Sequence, residues 1–400
     1  MVARGLLRPQ PLPMAQPPWK RVAVVGLAGA LIGLALLALQ LVRLGGDPTA
    51  PFFVGTFWDL DDALAERGIE VQTVPGTGYD GQWYLGLAYD PLLLDDLSDG
   101  FDMPRYRAGR PLLGMAGWLA SGGGLLGAAP GILAVGVLAA GLGAAATARL
   151  AVAAGLPRWA GLVFCLVPGV AVGVTHATAE PLGLACAALG LSLAVRPPDR
   201  LAPAAGLAFA AAALTKETYL LFALAAAAVA VLEGGGRLWA RVRRTGLLVA
   251  PGVALLAVWT GWVALRVPAS ATDGRPAAAL APPMTGWVDA IGDMVAGTWV
   301  ADAPVGPLGV GLMVGSLLLA VAGVVAGLRR PGLLGWCGLG FGVAALCLSP
   351  YLLGHFLSAM RVLAPSVLAA LLGLGAALAR PRGAVAGPAG RPSTTEPARP

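Results

Sequence analysis

The residues of this chain that are equipped for chemistry gather in a few short stretches. Gly76 to Tyr84 reads Gly-Thr-Gly-Tyr-Asp-Gly-Gln-Trp-Tyr, with one carboxylate, Asp80, set between glycines and aromatic rings. A carboxylate in that setting is a candidate proton acceptor, and Tyr79, Gln82 and Tyr84 flank it with hydrogen-bonding groups and ring faces. Arg105, Arg107 and Arg110 follow, three arginines within six residues. Phosphate is the anion that such a cluster suits best. Farther on, His176 stands near Glu180, Lys216 adjoins Glu217, and His355 precedes Arg361.

Each of these also has a plain structural reading. Tyr-Asp-Gly suits an ordinary turn aspartate. Glu180 precedes Pro181 at a helix start, where an acid complements the dipole and proline fits the first turn. Lys216 closes one helix as Glu217 opens the next, which dipole complementarity alone would select. The arginines resist the same treatment, because the bias that keeps basic residues in the cytoplasm does not explain them on an acidic outer loop. Cys165, Cys186, Cys337 and Cys347 fall inside apolar runs and read as packing residues, so neither a metal set nor a disulfide framework is indicated.

The elements that must position these groups are set by composition. With 57% hydrophobic and 12% charged residues, the chain is far from a soluble domain, in which about a quarter of residues are charged. It lacks the alternation of a membrane barrel, so the expected fold class is an all-α polytopic membrane protein. Residues 1–19 and 381–400 are Pro-rich tails expected to be disordered, and residues 20–380 form the transmembrane domain. Apolar runs at 22–42, 130–148, 158–175, 179–195, 201–215, 218–232, 245–265, 306–327, 333–350 and 360–379 make ten expected spans.

The first outer loop, 43–128, carries twelve acids against five arginines up to residue 110, which suits the outer face. Its last part, 111–128, is broken by Gly122 to Gly124 and either spans or lies in the interface anchored by Trp118. Charge decides between the two. With 111–128 interfacial, Lys20, Arg21, Arg149, Arg158, Arg196, Arg200, Arg237, Arg241, Arg243, Arg244, Arg329, Arg330, Arg380 and Arg382 all share one side. The positive-inside bias makes that side the cytoplasm, with both termini in it and Asp80 outside. The second outer loop, 267–305, carries Trp287, Ile291, Met294, Val295 and Trp299 at helical spacing, an interfacial helix that rests as a lid or touches substrate. No expected span has an ionisable residue near its middle, which disfavours a proton or ion relay. Basic residues form scattered groups instead of one stripe, so nucleic acid is not an expected partner.

Gly78-Tyr79-Asp80-Gly81-Gln82-Trp83-Tyr84, then Leu87-Ala88-Tyr89-Asp90-Pro91, Tyr106-Arg107 and Arg110-Pro111-Leu112-Leu113, resemble the first outer loop of bacterial membrane glycosyltransferases of the GT-C architecture. That group is distantly akin to the mannosyltransferases of glycolipid anchor synthesis. The likeness continues in Thr178-Ala179-Glu180-Pro181-Leu182 and Thr215-Lys216-Glu217-Thr218, covers residues 22 to about 232, and thins beyond. It implies a GT-C-like bundle at an inner or plasma membrane. It also implies an enzyme that moves a sugar, most simply a mannose-like hexose, from a polyprenyl-phosphate carrier to an extracytoplasmic glycan, lipid or protein acceptor.

The resemblance assigns Asp80 as catalytic base. Arg107, Arg110 and Lys216 become phosphate clamps, and Tyr79, Gln82, Tyr84, Glu180 and His176 complete the expected substrate-binding set. His176 stands where relatives tend to be acidic, and Lys216 where they tend to have arginine, which keeps the charge but loses bidentate geometry. Polyprenyl phosphate is a good leaving group, so the chemistry asks for a base and for cations, not for a strong general acid. No cofactor is implied, and a divalent cation is compatible with the Asp-rich loop although no spacing demands one. The alternative function is a transporter or flippase of a lipid-linked or polar solute, which requires a polar tunnel through the bundle.

Overall fold

The computed structural model describes residues 17–124, 127–195, 199–232, 237–270, 273, 279–296, 307–329 and 332–378. Nearly all of the two expected tails, Trp299, Arg196, Arg330, Arg380 and Arg382 lie outside the described residues. The first apolar run forms α1 (Trp19–Arg43), which Gly45 and Gly46 follow with left-handed φ.

The polar loop is built to hold one turn. Val54–Gly55 (β1) pairs in parallel with Thr73–Val74 (β2) around the short α2 (Leu60–Ala65). Gly78, at φ +67°, turns the chain so that the Tyr79 N–H donates to the Phe53 carbonyl at 2.9 Å. Gln82 locks the turn, donating to the Thr77 carbonyl at 2.8 Å and accepting from the Gly55 N–H at 2.9 Å. Asp80 immediately precedes α3 (Gly81–Tyr89), whose Trp83, Leu85, Leu87 and Ala88 are buried. Two short helices, α4 (Pro104–Ala108) and α5 (Leu112–Ala120), complete the loop. The nine residues of α5 make about 14 Å at 1.5 Å per residue, too short for a hydrocarbon layer of about 30 Å.

Behind the loop lies α6 (Ala128–Ala153), packed on α1, α5 and, later in the chain, the helix that begins at Glu180. Gly26, Gly29 and Gly33 of α1 face Ala145, Ala144 and Ala140 of α6, and a Cβ on Gly29 would sit 2.6 Å from that of Ala144. Small residues allow this approach where lipid supplies no hydrophobic drive between helices. Val167 is extended because Pro168 follows it. It separates α7 (Val163–Leu166) from α8 (Pro168–Thr175), and the expected straight span over 158–175 is instead bent by 60°.

The remaining helices are α9 (Glu180–Ala194), α10 (Ala202–Thr215), α11 (Leu220–Leu232), α12 (Leu238–Arg266), α13 (Thr285–Ala296), α14 (Pro307–Arg329), α15 (Leu333–Leu346), α16 (Pro350–Leu353) and α17 (Phe356–Leu378). The α13 helix forms where its spacing predicts. Its Trp287, however, is fully buried, with the indole N–H on the Ala345 carbonyl at 2.8 Å, so that apolar face packs into protein.

Among the described residues, five helices are long and apolar enough to cross a membrane, or six if the bent pair is one span. The apolar helices Glu180–Ala194, Ala202–Thr215, Glu217–Leu232 and Leu333–Leu346 are shorter. Each of the ten expected segments is therefore helical, but the helix lengths do not give ten full spans. Exposed Val253, Val258 and Leu265 on α12, with Leu308, Leu318 and Leu328 on α14, present apolar surface suited to lipid. The protein is membrane-embedded and, among the described residues, predominantly helical, and the ends of α9, α10 and α17 meet beneath the first loop.

Candidate functional site

Ion pairs join those helix ends to the loop in a chain of alternating charge. Asp80 Oδ1 accepts from Arg107 Nη1 at 3.0 Å, and Oδ2 accepts from Arg361 Nη1 at 2.8 Å. Arg107, on α4, is also held bidentately by Asp102 through Nε at 2.8 Å and Nη2 at 2.9 Å. Arg361, near the start of α17, reaches on to Glu180, with Nε 3.0 Å from Oε2. That contact is close enough for an ion pair, but the N–H is not aimed at the oxygen and makes no hydrogen bond. Glu180, the first residue of α9, takes a hydrogen bond from the Thr178 hydroxyl at 2.6 Å and lies 3.7 Å from Lys216 Nζ. Beside this chain, Arg110 grips Glu217 bidentately at 3.0 and 2.7 Å.

Burial orders these groups. The Asp80 side chain keeps 28% of its exposure, whereas Glu180 keeps 1% and Arg361 5%. Within the chain from Asp102 to Lys216, Asp80 is thus the member most open to solvent, while Glu217 beside that chain is more exposed, at 51%. Aromatic rings back the cations: Arg361 lies 5.2 Å from the Tyr79 ring centre, Arg110 4.1 Å from that of Tyr106, and Arg107 5.5 Å from those of Trp83 and Tyr106. Burial alone would raise the Asp80 carboxyl, but Arg107 and Arg361 outweigh it and hold the group well below its ordinary value. Burial pushes the Tyr79 hydroxyl up to about 12 against the pull of Arg361, so it stays protonated. That hydroxyl has no hydrogen-bond partner within the protein.

The C-terminal end of α12 fixes the loop that carries Arg107. Trp259 donates its indole N–H to the Ala108 carbonyl at 2.8 Å, Trp262 to Leu92 at 2.8 Å, and Arg266 to Leu93 and Leu94, each at 2.9 Å. Arg105 faces away from its neighbours in sequence, with Nε on the Val267 carbonyl at 2.9 Å. Of the three clustered arginines it is therefore a strap, not part of the site.

Of the expected residues, Asp80, Arg107, Glu180 and Lys216 fall into one ion-pair chain, and Arg110 pairs alongside it. Tyr79 lies under Arg361, and Tyr84 is buried in α3. His176 stacks on Phe53 at 4.9 Å and meets the Tyr79 ring edge-on at 5.4 Å. Gln82 braces the turn, with both ends of its side-chain amide bonded to backbone groups. Gly81 likewise makes room for protein, because a Cβ there would lie 2.6 Å from the His176 carbonyl oxygen.

Arg361, Asp102 and Glu217 complete the site beyond the expected set. The available signal for Arg361 was an arginine near the start of an apolar helix, an expensive position that calls for a charged partner. Among the described residues, no group of three His, Cys, Asp or Glu side chains is arranged to hold a metal ion. No protein-family model, curated protein or solved structure matches the chain.

Proposed function

We propose that this chain is a membrane glycosyltransferase that moves a mannose-like hexose from a polyprenyl-phosphate carrier to an extracytoplasmic glycan, lipid or protein acceptor. The observation that carries the reading is the convergence of Asp80, a solvent-open carboxylate, with Arg107, Arg361 and the Lys216–Glu180 pair at the ends of apolar helices. The acceptor hydroxyl oxygen attacks the anomeric carbon, the carbon–oxygen bond to phosphate breaks, and the phosphate leaves with the bonding pair. Asp80 takes the hydroxyl proton, and the guanidinium groups stabilise the departing charge. In-line attack inverts the anomeric centre.

The accompanying topology has ten membrane segments in a GT-C-like bundle, both termini in the cytoplasm and the Asp80 cluster on the outer face of an inner or plasma membrane. Transfer is favoured over transport because Glu180, Lys216 and Arg361 stand at helix ends, whereas a tunnel would need polar groups at helix centres. Membranes carrying the chain are expected to move radiolabelled mannose from polyprenyl-phosphate mannose into lipid-, glycan- or protein-bound product. Asp80→Asn, inserted at the wild-type level, is expected to fall to background. Transfer by that variant at the wild-type rate would sink the assignment.

A further inference from the structure

The resting arrangement makes Asp80 a poor base. Both of its oxygens accept from guanidinium groups, at 3.0 and 2.8 Å, and a carboxylate so satisfied has little appetite for a proton. The acids and cations of the cluster are paired with one another. Among the described residues, Asp80, Asp102, Glu180 and Glu217 face Arg107, Arg110, Lys216 and Arg361. Every cation offered to a phosphate is therefore already paired, and an incoming anion must take a partner from one of the acids.

The acids are not equally easy to displace. Glu180 is fully enclosed and also bonded to Thr178, and Asp102 holds Arg107 through two parallel hydrogen bonds. Glu217 is the most exposed of the four but grips Arg110 through two parallel hydrogen bonds, whereas Asp80 makes only one bond to each arginine and keeps 28% of its exposure. Beside it, the buried Tyr79 hydroxyl makes no hydrogen bond within the protein and can donate to an incoming acceptor, while Arg361 Nε is occupied by its ion pair with Glu180 at 3.0 Å.

We propose that the phosphodiester of a lipid-linked sugar displaces Asp80 from Arg361 and Arg107, and that this exchange is what turns Asp80 into a base. The inference rests on the transferase reading above and specifies how its donor is recognised. A phosphodiester brings one further negative charge to these ion pairs. Stripped of its two guanidinium bonds and facing that charge, Asp80 gains proton affinity, and a proton bound there offsets the added charge. At neutral pH the proton comes from the acceptor hydroxyl, so the base is switched on only when donor is present; in acid it comes from solvent.

The charged and titratable groups around Asp80 are Arg107 and Arg110 from the α4 region with Asp102, Arg361 from α17, and Glu180 with Lys216 beyond Arg361. Tyr79 adjoins it in sequence, with His176 against the Tyr79 ring.

The test is calorimetry on the full-length protein in detergent, in buffers of different ionisation enthalpy, which counts protons taken up per ligand bound. Phosphodiesters are the probes because they do not titrate in this range: dimethyl phosphate for the head group alone, and farnesyl methyl phosphate for the head group with a lipid chain. Near pH 5 the wild type is expected to take up as much as about one proton per diester, fading as pH rises. Asp80→Asn is expected to abolish the uptake and to bind the diester more tightly by roughly tenfold, the change corresponding to one displaced charge-assisted hydrogen bond.

Binding of farnesyl methyl phosphate alone assigns the site to lipid carriers, and binding of both probes assigns it to the phosphodiester itself. Failure of both to bind the wild type, binding without uptake, weaker binding by Asp80→Asn, or uptake that survives that variant overturns the proposal. If Asp80→Asn does not fold, the wild-type uptake decides alone, and Asp102→Asn, which frees Arg107 from its second partner, is expected to tighten binding with uptake intact. Exchange without sugar transfer would refute the transferase and leave the anion switch standing. Transfer without proton uptake would do the reverse.

Discussion

Arg361 Nη1 lies 2.8 Å from Asp80 Oδ2 across 281 residues of sequence. The same guanidinium holds Glu180, so one side chain of α17 fastens both the loop that carries Asp80 and the start of α9. Arg361→Gln is expected to cost about 3–5 kcal/mol, because removing one partner leaves buried charge uncompensated. Arg361→Lys is expected to recover only part of that loss, since an ammonium point charge does not span two carboxylates as a guanidinium fork does. Unfolding in mixed detergent, followed by tryptophan fluorescence, measures both. A neutral Arg361→Gln would mean that the link carries no stability.

The pH dependence of stability follows from the low Asp80 value. A carboxyl depressed in the folded state contributes its full stability above the unfolded value of about 3.9 and loses it as pH falls from there towards the folded value. Paired thermal melts of wild type and Asp80→Asn are therefore expected to differ by a constant amount from about pH 8 to about pH 5, with the gap closing only below about pH 4. A gap that narrows between neutrality and pH 5 would assign the titration to another group.

Gln82→Leu separates bracing from chemistry. It keeps the buried volume but leaves the Gly55 N–H and the Thr77 carbonyl without partners, at about 1–3 kcal/mol for each unsatisfied group. The expected outcome is faster proteolysis of the loop between Phe53 and Asp80, with retained affinity for phosphodiester in the fraction that remains folded. Loss of ligand affinity in well-folded protein would return Gln82 to the binding set.

What could be read from sequence divides along physical lines. Helices were legible because long apolar runs have few other options in lipid, and the turn around Asp80 because glycine and aspartate announce it. Their lengths were not, since a run of apolar residues does not say whether fifteen or twenty-five of them stay helical; α9 and α6 differ in just this way. The break at Val167 was visible as Pro168 yet was expected to be absorbed in one span. Asp80, Arg107, Glu180, Lys216, Glu217 and Arg361 were singled out individually, but who pairs with whom was not, because these contacts are made by tertiary packing that no local spacing encodes. The bracing role of Gln82 was illegible for a related reason: its partners are backbone groups, which carry no signature of their own.

The distance in sequence between Asp80 and Arg361 also has a consequence in time. At about 5–20 residues per second, synthesis delivers Arg361 roughly 15–60 s after Asp80. Throughout that interval Asp80 has been made while the guanidinium that fastens it to α9 has not. The site therefore closes last, when α17 docks, and a chain truncated before α17 carries Asp80 and Glu180 but not the arginine that links them. Completion of the cluster then coincides with completion of the fold, so a stalled or clipped chain is betrayed by its acids.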